Sequence, residues 1–295
     1  MKSRVRYAFL LSCFVTCANA MQDAPGRVTV AWEAADYRSD LWQDIMAQEL
    51  MTRYDLKHVV TDKSVLDVGC GTGVIALILA CYARSVHGID MSASMIRAAM
   101  HHIRANVTFW CCSAQNLERK NAFDYATAFW VLQWMPDTDK EQAVQKIWGA
   151  LKSGGQFFGT CSVDDNNQEL ERALPFLQGK MPKLKDIFAD REQWNQLLGE
   201  YRSTPERLKE LFEGVGFENV VIEEITFENN FSEEGLRTIY TPGFRGLPLM
   251  DHLDAQERLQ LFELYIGLKK MSLPQQEPGV YTNSTRQLII RATKP

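Results

Sequence analysis

The stretch Val65-Leu66-Asp67-Val68-Gly69-Cys70-Gly71-Thr72-Gly73, which is followed by the apolar run 74–80, decides the fold. Its pattern predicts a buried strand, a glycine-rich turn and the first turn of a helix, with a carboxylate just before the turn. A second predicted strand, Ser85–Asp90, ends in another acid. Two acids placed in this way suit a fold that holds a nucleoside-bearing cofactor at the carboxyl edge of a parallel sheet. The pattern therefore favours a group-transfer or redox enzyme over a scaffold.

Length and composition are those of an ordinary globular protein. The chain has 295 residues, of which 46% are hydrophobic and 23% are charged, enough for one large α/β domain or a core domain with a sizeable insertion. The formal net charge of −5 argues against nucleic acid as a partner, because such a site needs clustered Lys and Arg. Since the His residues are scattered, and the adjacent pair Cys111-Cys112 does not have the spacing of a tetrahedral metal site, we expect no metal.

The first 20 residues have the composition of a secretory signal peptide. A positive start is followed by the apolar run 7–17 and by the small-residue pattern Ala18-Asn19-Ala20. The leader predicts a secreted or periplasmic protein. The alternative is a start at Met21, which would leave a cytoplasmic protein. We expect no membrane span, because the chain has no other apolar run long enough to form one.

Strands and helices alternate through the first half of the chain, which predicts an α/β fold with a doubly wound parallel sheet. After the first strand, the predicted strands are 85–90, 107–112, 123–130, 156–161, 219–227 and 287–292, and the main predicted helices are 31–51, 73–82, 93–104, 141–151 and 204–213. The helix 141–151 is expected to be closed by the segment Lys152-Ser153-Gly154-Gly155, because glycines commonly follow the carboxyl ends of helices. Two helical segments near 164–203 and 232–280 are expected to cap one face of a single domain at 21–295.

The pattern resembles the class I S-adenosylmethionine-dependent methyltransferases. The matching segments are Leu66–Gly73, Gly88–Ser92, Ser113–Leu117, Phe123-Asp124 and Leu151–Gly155. The resemblance implies a Rossmann-like sheet of seven mostly parallel strands and S-adenosyl-L-methionine as the cofactor. A dinucleotide-binding dehydrogenase would need a third glycine where this chain has Val74, which disfavours NAD.

The resemblance also implies which residues bind the cofactor. Asp67 would orient its amino group, and Asp90 would accept both ribose hydroxyls, unless Asp90 merely caps the next helix. The glycines would let the backbone pass close to the cofactor. Ser113 stands where the family usually has an Asp, so the charge of that contact is missing. The full predicted set is Asp67, Gly69, Gly71, Gly73, Asp90, Met91, Ser113, Ala114, Gln115, Phe129 and Trp130.

A narrower likeness lies at Trp130-Val131-Leu132-Gln133-Trp134-Met135-Pro136-Asp137. This segment is similar to the one that follows strand four in methyltransferases that esterify small carboxylic acids, namely the trans-aconitate, malonyl-carrier-protein and juvenile hormone acid methyltransferases. The likeness implies that Gln133 and Trp134 are the catalytic pair, since both side chains are neutral donors that hold a carboxylate without deactivating it. A carboxylate is ionised at neutral pH, so methyl transfer to it needs no general base.

We therefore predict a methyltransferase that acts on a small organic acceptor, most simply a carboxylic acid with an apolar body, because the caps are rich in aromatic residues and Met. Arg245 is a candidate for binding a second anionic group, and Tyr37 and Trp42 are candidates for closing over the cofactor. The alternatives are N- or O-methylation of another small molecule, and a cofactor-binding interaction protein without catalysis. The sequence does not give the oligomeric state.

Overall fold

A computed structural model describes residues 42–163, 167–189, 201–245 and 247–295. The predicted leader 1–20 and Tyr37 lie outside the described residues, and so do the side chains of Trp42 and Arg245. None of the described helices is both long and apolar enough to cross a membrane.

The described part of the chain forms one mixed sheet of eight strands. The strands are β1 Ser64–Val68, β2 Ser85–Asp90, β3 Val107–Cys111, β4 Phe123–Phe129, β5 Leu151–Ser162, β6 Glu218–Ser232, β7 Gln275–Glu277 and β8 Val280–Thr293. Their order in the sheet is β3-β2-β1-β4-β5-β8-β6, with β7 pairing only with β8. The neighbours β1 to β5 are parallel, as predicted, while β8 runs antiparallel to both β5 and β6.

The sheet has one strand more than predicted. The additional strand is β7, which has three residues and pairs with the start of β8 at Tyr281 and Val280. Because the three residues of β7 are all exposed polar residues, no hydrophobic alternation marked them as a strand.

Helices cover both faces of the sheet, as a doubly wound fold requires. The helices are α1 Trp42–Arg53, α2 Leu56–Val59, α3 Val74–Leu79, α4 Ala93–Met100, α5 Asp137–Ala150, α6 Asn167–Lys180, α7 Lys183–Ile187, α8 Pro205–Val215, α9 Glu233–Arg245 and α10 Ala255–Ser272, with short 3-10 turns at Ala114–Asn116, Leu132–Trp134 and Pro248–His252. One face of the sheet packs against α1 to α4, and the other packs against α5 and α8.

The junction between α5 and β5 differs from the prediction. The helix begins four residues earlier, at Asp137, where Pro136 precedes it and two acids occupy its first turn. It ends at Ala150, and Leu151 already has an extended backbone. The glycines expected to end the helix therefore lie inside β5, where Gly154 has a φ of 74°.

The two cap segments share one hydrophobic cluster. Residues from α6 and α7 pack with residues from the Pro248–His252 turn and α10, far away in sequence. Four apolar side chains of the caps are buried in this cluster, namely Leu177, Met181, Phe188 and Met250. The composition of the cap is thus explained largely by its own core.

Candidate cofactor and acceptor site

The turn after β1 depends on three glycines in the left-handed region, since Gly69, Gly71 and Gly73 have φ values of 65°, 53° and 86°. A Cβ on Gly69 would lie 2.3 Å from Cγ2 of Val131, and a Cβ on Gly73 would lie 2.7 Å from Cζ of Phe109. A Cβ on Gly71 would meet no atom of the described residues within 4 Å. Packing within the protein therefore requires Gly69 and Gly73, whereas open space for a cofactor lies beside Gly71.

Asp67 is the most unusual carboxyl group of the site. It is the last residue but one of β1 and is 2% exposed. Its Oδ1 accepts a hydrogen bond of 2.8 Å from the hydroxyl of Thr127, while its Oδ2 is buried without a hydrogen-bond partner among the described residues. The pKa of Asp67 is raised from 3.8 to about 7, chiefly by burial and to a smaller extent by the nearby charge of Asp90, against the opposing effect of the hydrogen bond from Thr127. A buried carboxyl oxygen without a donor is a natural acceptor for a ligand.

Asp90 lies at the end of β2, beside the same turn. Its Oδ2 accepts a hydrogen bond of 3.0 Å from the backbone N–H of Gly71, and its Oδ1 accepts one of 2.8 Å from the N–H of Ser92. Burial raises the pKa of Asp90, although these two backbone donors lower it. The helix cap itself is Ser92, whose hydroxyl accepts from the N–H of Met95 at 3.3 Å. A carboxylate has about four acceptor positions, so Asp90 keeps capacity for hydroxyl donors.

The end of β3 completes this edge of the site. Asp90 pairs with Cys111 across β2 and β3, so the segment after β3 emerges next to Asp90. That segment holds Ser113, the buried Ala114 and the half-buried Gln115 in a 3-10 turn. The adjacent Met91 is 48% exposed, which is unusual for a large apolar side chain beside a core. The structure thus brings together the predicted residues of β1, β2 and β3 at one carboxyl edge.

The turn after β4 lies beside them and is built around Trp130. This residue has a φ of 57°, a conformation that bulky side chains rarely adopt. Its backbone N–H donates to the carbonyl and the hydroxyl of Thr160, at 3.2 and 3.0 Å. Its indole N–H donates to Oε1 of Gln287 at 3.0 Å. The turn after β4 packs over Gly69 through Val131. It therefore directly adjoins the glycine-rich turn 69–73, which we call the cofactor cradle.

The two predicted acceptor-binding residues follow in the 3-10 turn Leu132–Trp134. Gln133 is 4% exposed, and its Oε1 accepts a hydrogen bond of 3.0 Å from the backbone N–H of Ser162. Because that donor can only be an N–H, the bond fixes the orientation of the amide and leaves its NH2 group as the donor end. Trp134 is half-buried. Phe129 is buried and contacts both Trp130 and Phe158.

Three features of this site fit a nucleoside cofactor with a cationic amino group. The unpartnered Oδ2 of Asp67 could accept a hydrogen bond from an ammonium. The carboxylate of Asp90 could accept hydrogen bonds from ribose hydroxyls. The absence of a side chain at Gly71 leaves room for the backbone to approach the ligand. S-adenosylmethionine carries both groups. Among the described residues there is no group of three or more His, Cys, Asp or Glu that could hold a metal ion.

Comparison with known proteins agrees with this geometry. Residues 65–155 match a family described as a methyltransferase domain. The chain is 33% identical over 100 residues to the ubiquinone biosynthesis O-methyltransferase of Coxiella burnetii, which covers 32% of this chain and 42% of that protein. It is 28% identical over 155 residues to the mitochondrial ubiquinone biosynthesis O-methyltransferase of Rattus norvegicus, which covers 50% of this chain and 44% of that protein. The matched stretches thus span less than half the length of these curated relatives.

Solved structures show the same fold. The protein YcgJ of Bacillus superposes with a TM-score of 0.55 at 17% identity, over 85% of this chain and 98% of that chain. The [4+2]-cyclase SpnF superposes with a TM-score of 0.52 at 21% identity, over 97% of this chain and 94% of that chain. The described residues thus share the fold of these solved structures, and residues 65–155 are similar to a methyltransferase domain. Since SpnF is described as a cyclase, the fold alone does not determine the reaction, which has to be argued from the site.

Three residues that shape the site were not predicted from the sequence. Thr127 donates a hydrogen bond to Asp67. Thr160 accepts one from the backbone N–H of Trp130, and Gln287 accepts one from its indole N–H. For Thr127 the available signal was a polar residue between the apolar residues Ala126 and Ala128, whereas Gln287 follows several other polar residues of β8 and carries no such signal.

Proposed function

We propose that this protein transfers a methyl group from S-adenosylmethionine to an oxygen atom of a small organic acceptor, and that this oxygen belongs to a carboxylic acid. The observation that carries the proposal is the buried Oδ2 of Asp67, which has no partner among the described residues and belongs to the strand that leads into the glycine-rich turn. When bound, S-adenosylmethionine supplies an electrophilic methyl carbon. The names of the curated relatives support oxygen as the acceptor atom.

The turn after β4 supports a carboxylate rather than an acceptor that must lose a proton. The segment Trp130–Met135 contains no ionisable side chain. The NH2 group of Gln133 is a neutral donor whose position is fixed by the bond from Ser162. A neutral donor orients a carboxylate without pairing with its charge, and a carboxylate needs no general base at neutral pH. Catalysis would then consist of aligning the acceptor oxygen with the methyl carbon and excluding water.

The surroundings of this turn support an acceptor with an apolar body. Phe129 and Trp130 belong to the hydrophobic cluster on one face of the sheet, which also contains Ile225 and Phe227 of β6. Phe231 packs against the same cluster from the far end of β6. An apolar wall therefore continues from the turn along β6 towards the cap.

The test is an incubation of the full chain with methyl-labelled S-adenosylmethionine and matched acceptors. The panel pairs carboxylic acids of increasing alkyl or terpenoid length with catechols that carry the same tails. A base-labile methyl ester that is lost with Asp67→Asn and strongly reduced with Gln133→Met would support the proposal. The exposed Gln260→Met serves as the control for an amide-to-thioether change.

Other outcomes separate the parts of the proposal. Label on the catechols as a base-stable ether would remove the carboxylic acid and leave oxygen methylation, as the names of the relatives suggest. Label on nitrogen would overturn both. Tight binding of S-adenosylhomocysteine by calorimetry, without turnover of any acceptor, would favour a cofactor-binding protein without catalysis.

A further inference from the structure

Gln287 is a buried amide of β8 that directly precedes a run of buried apolar residues. It is 2% exposed, and the three residues that follow it, Leu288 to Ile290, are fully buried. Burying an amide costs free energy unless it forms hydrogen bonds. Its Oε1 accepts from the indole N–H of Trp130 at 3.0 Å, which connects β8 to the turn after β4.

Trp130 needs such a connection because of its backbone. A non-glycine residue in the left-handed region is strained relative to the right-handed region, and persists only where its surroundings enforce it. Thr160 of β5 holds the backbone N–H of Trp130. Gln287 fixes the side chain of Trp130 by accepting a hydrogen bond from its indole N–H. The two contacts together fix both the backbone and the side chain of Trp130.

The register of β8 extends this connection to Gln133. Gln287 lies opposite Ser162 in the antiparallel pair β5–β8. The backbone N–H of Ser162 in turn donates to Oε1 of Gln133. One pair of facing residues at the end of β5 thus anchors the turn on both sides, through Trp130 and through Gln133.

We infer that Gln287 is a positioning residue, which acts through the indole of Trp130 to hold the turn after β4 against the cofactor cradle. The inference rests on the proposed function for its link to the cofactor, because the turn reaches the cradle through Val131, whose methyl groups occupy the space beside Gly69. The role requires an acceptor oxygen at the end of a side chain of this length. Glutamate keeps that oxygen, whereas methionine keeps the volume and removes it.

The test combines calorimetry with S-adenosylhomocysteine and amide hydrogen exchange. Gln287→Met and Trp130→Phe are each expected to weaken binding of S-adenosylhomocysteine about 5- to 20-fold, the effect of losing one buried hydrogen bond. The double variant is expected to bind no more weakly than Trp130→Phe, because both changes remove the same contact. The backbone amides of Trp130–Met135 should exchange faster in Gln287→Met. Gln287→Glu should restore both readouts to within about threefold of the wild type.

The control is Gln260→Met, which makes the same change at an exposed position on α10 and should alter neither readout. Additive effects of Gln287→Met and Trp130→Phe on the affinity, or unchanged affinity and exchange in Gln287→Met, would overturn the inference. If Gln287→Met does not fold, Gln287→Glu is compared with Trp130→Phe in affinity for S-adenosylhomocysteine and in amide exchange. The inference then requires that Gln287→Glu stays near the wild type while Trp130→Phe does not. Failure of the wild type to bind S-adenosylhomocysteine would overturn the proposed function, and the exchange measurement alone would then decide the role of Gln287.

Discussion

The hydroxyl of Thr127 donates to only one of the two carboxyl oxygens of Asp67, although both oxygens are buried. Thr127 and Asp67 are register partners on the parallel strands β4 and β1. The pair therefore gives the carboxyl group a fixed orientation and leaves one oxygen for a ligand. The unfavourable environment of that oxygen in the absence of a ligand has measurable consequences.

The first consequence concerns stability. Because the pKa of Asp67 is about 7 in the folded protein and lies near 3.8 in the unfolded chain, the folded state holds an extra proton between these values. The free energy of unfolding should fall as the pH rises through this window, with a contribution from this group that approaches about 1.4 kcal/mol per pH unit. Urea unfolding from pH 5 to 8 should show a shallower decline in Asp67→Asn. The exposed control Asp251→Asn should follow the wild type.

The second consequence concerns cofactor affinity. An ammonium bound at Oδ2 favours the ionised form of Asp67, so binding of S-adenosylmethionine to the wild type should release a proton below pH 7 and become about tenfold tighter from pH 6 to 8. Calorimetry in buffers of different ionisation enthalpy measures this release directly. Since burial also raises the pKa of Asp90, the comparison is made with Asp67→Asn, which should bind weakly with a smaller dependence on pH. Equal proton release by the two proteins would contradict the assignment to Asp67.

The third prediction separates two glycines of the same turn. Gly73→Ala places a Cβ 2.7 Å from the ring of Phe109 at a φ of 86°, so it should destabilise the protein by about 3 kcal/mol. Gly71→Ala meets no protein atom of the described part, so its cost should be near the backbone penalty of about 1 kcal/mol. Gly71→Ala should nevertheless weaken S-adenosylhomocysteine binding at least as much as Gly73→Ala. Chemical denaturation and calorimetry measure the two effects, and loss of affinity only in Gly73→Ala would contradict the placement of the cofactor.

The fourth prediction concerns Lys140, which is 1% exposed at the start of α5. Its ammonium donates to the carbonyl of Tyr201 at 2.8 Å and to the hydroxyl of Ser203 at 2.6 Å, and so connects α5 to the segment before α8. Lys140→Met should cost about 2 to 4 kcal/mol of stability, because it leaves these acceptors without their donor. Differential scanning calorimetry should show a lowered Tm, with the affinity for S-adenosylhomocysteine kept. The exposed Lys146→Met on the same helix should leave the Tm unchanged.

Local patterns predicted the parts of the fold that local interactions determine. The alternation of strands and helices from β1 to β5 and the glycine-rich turn are both confirmed. The junction at Ala150 was predicted wrongly, because Gly154-Gly155 was taken as a helix end while Leu151 already pairs with Phe123 of β4. Pairing with a distant strand outweighed the local signal.

The candidate site could likewise be predicted only in part from the sequence. The residues of the site come from strand ends, which the sequence marks, so their positions at one edge could be predicted. The contacts of Asp67 with Thr127 and of Trp130 with Gln287 depend on the register between strands that are far apart in the chain. A single sequence does not specify that register, and the roles of Thr127 and Gln287 became visible only in the folded arrangement.

The position of β8 between β5 and β6 has a consequence for biosynthesis. As the chain emerges from the ribosome, β1 to β5 can assemble in order, whereas β6 has no partner until β8 has been made. In the interval, β6 would expose Val220, Ile225 and Phe227, which are buried in the finished sheet. The nascent protein is therefore expected to be most prone to aggregate at the stage when β6 is unpaired and these apolar side chains are exposed.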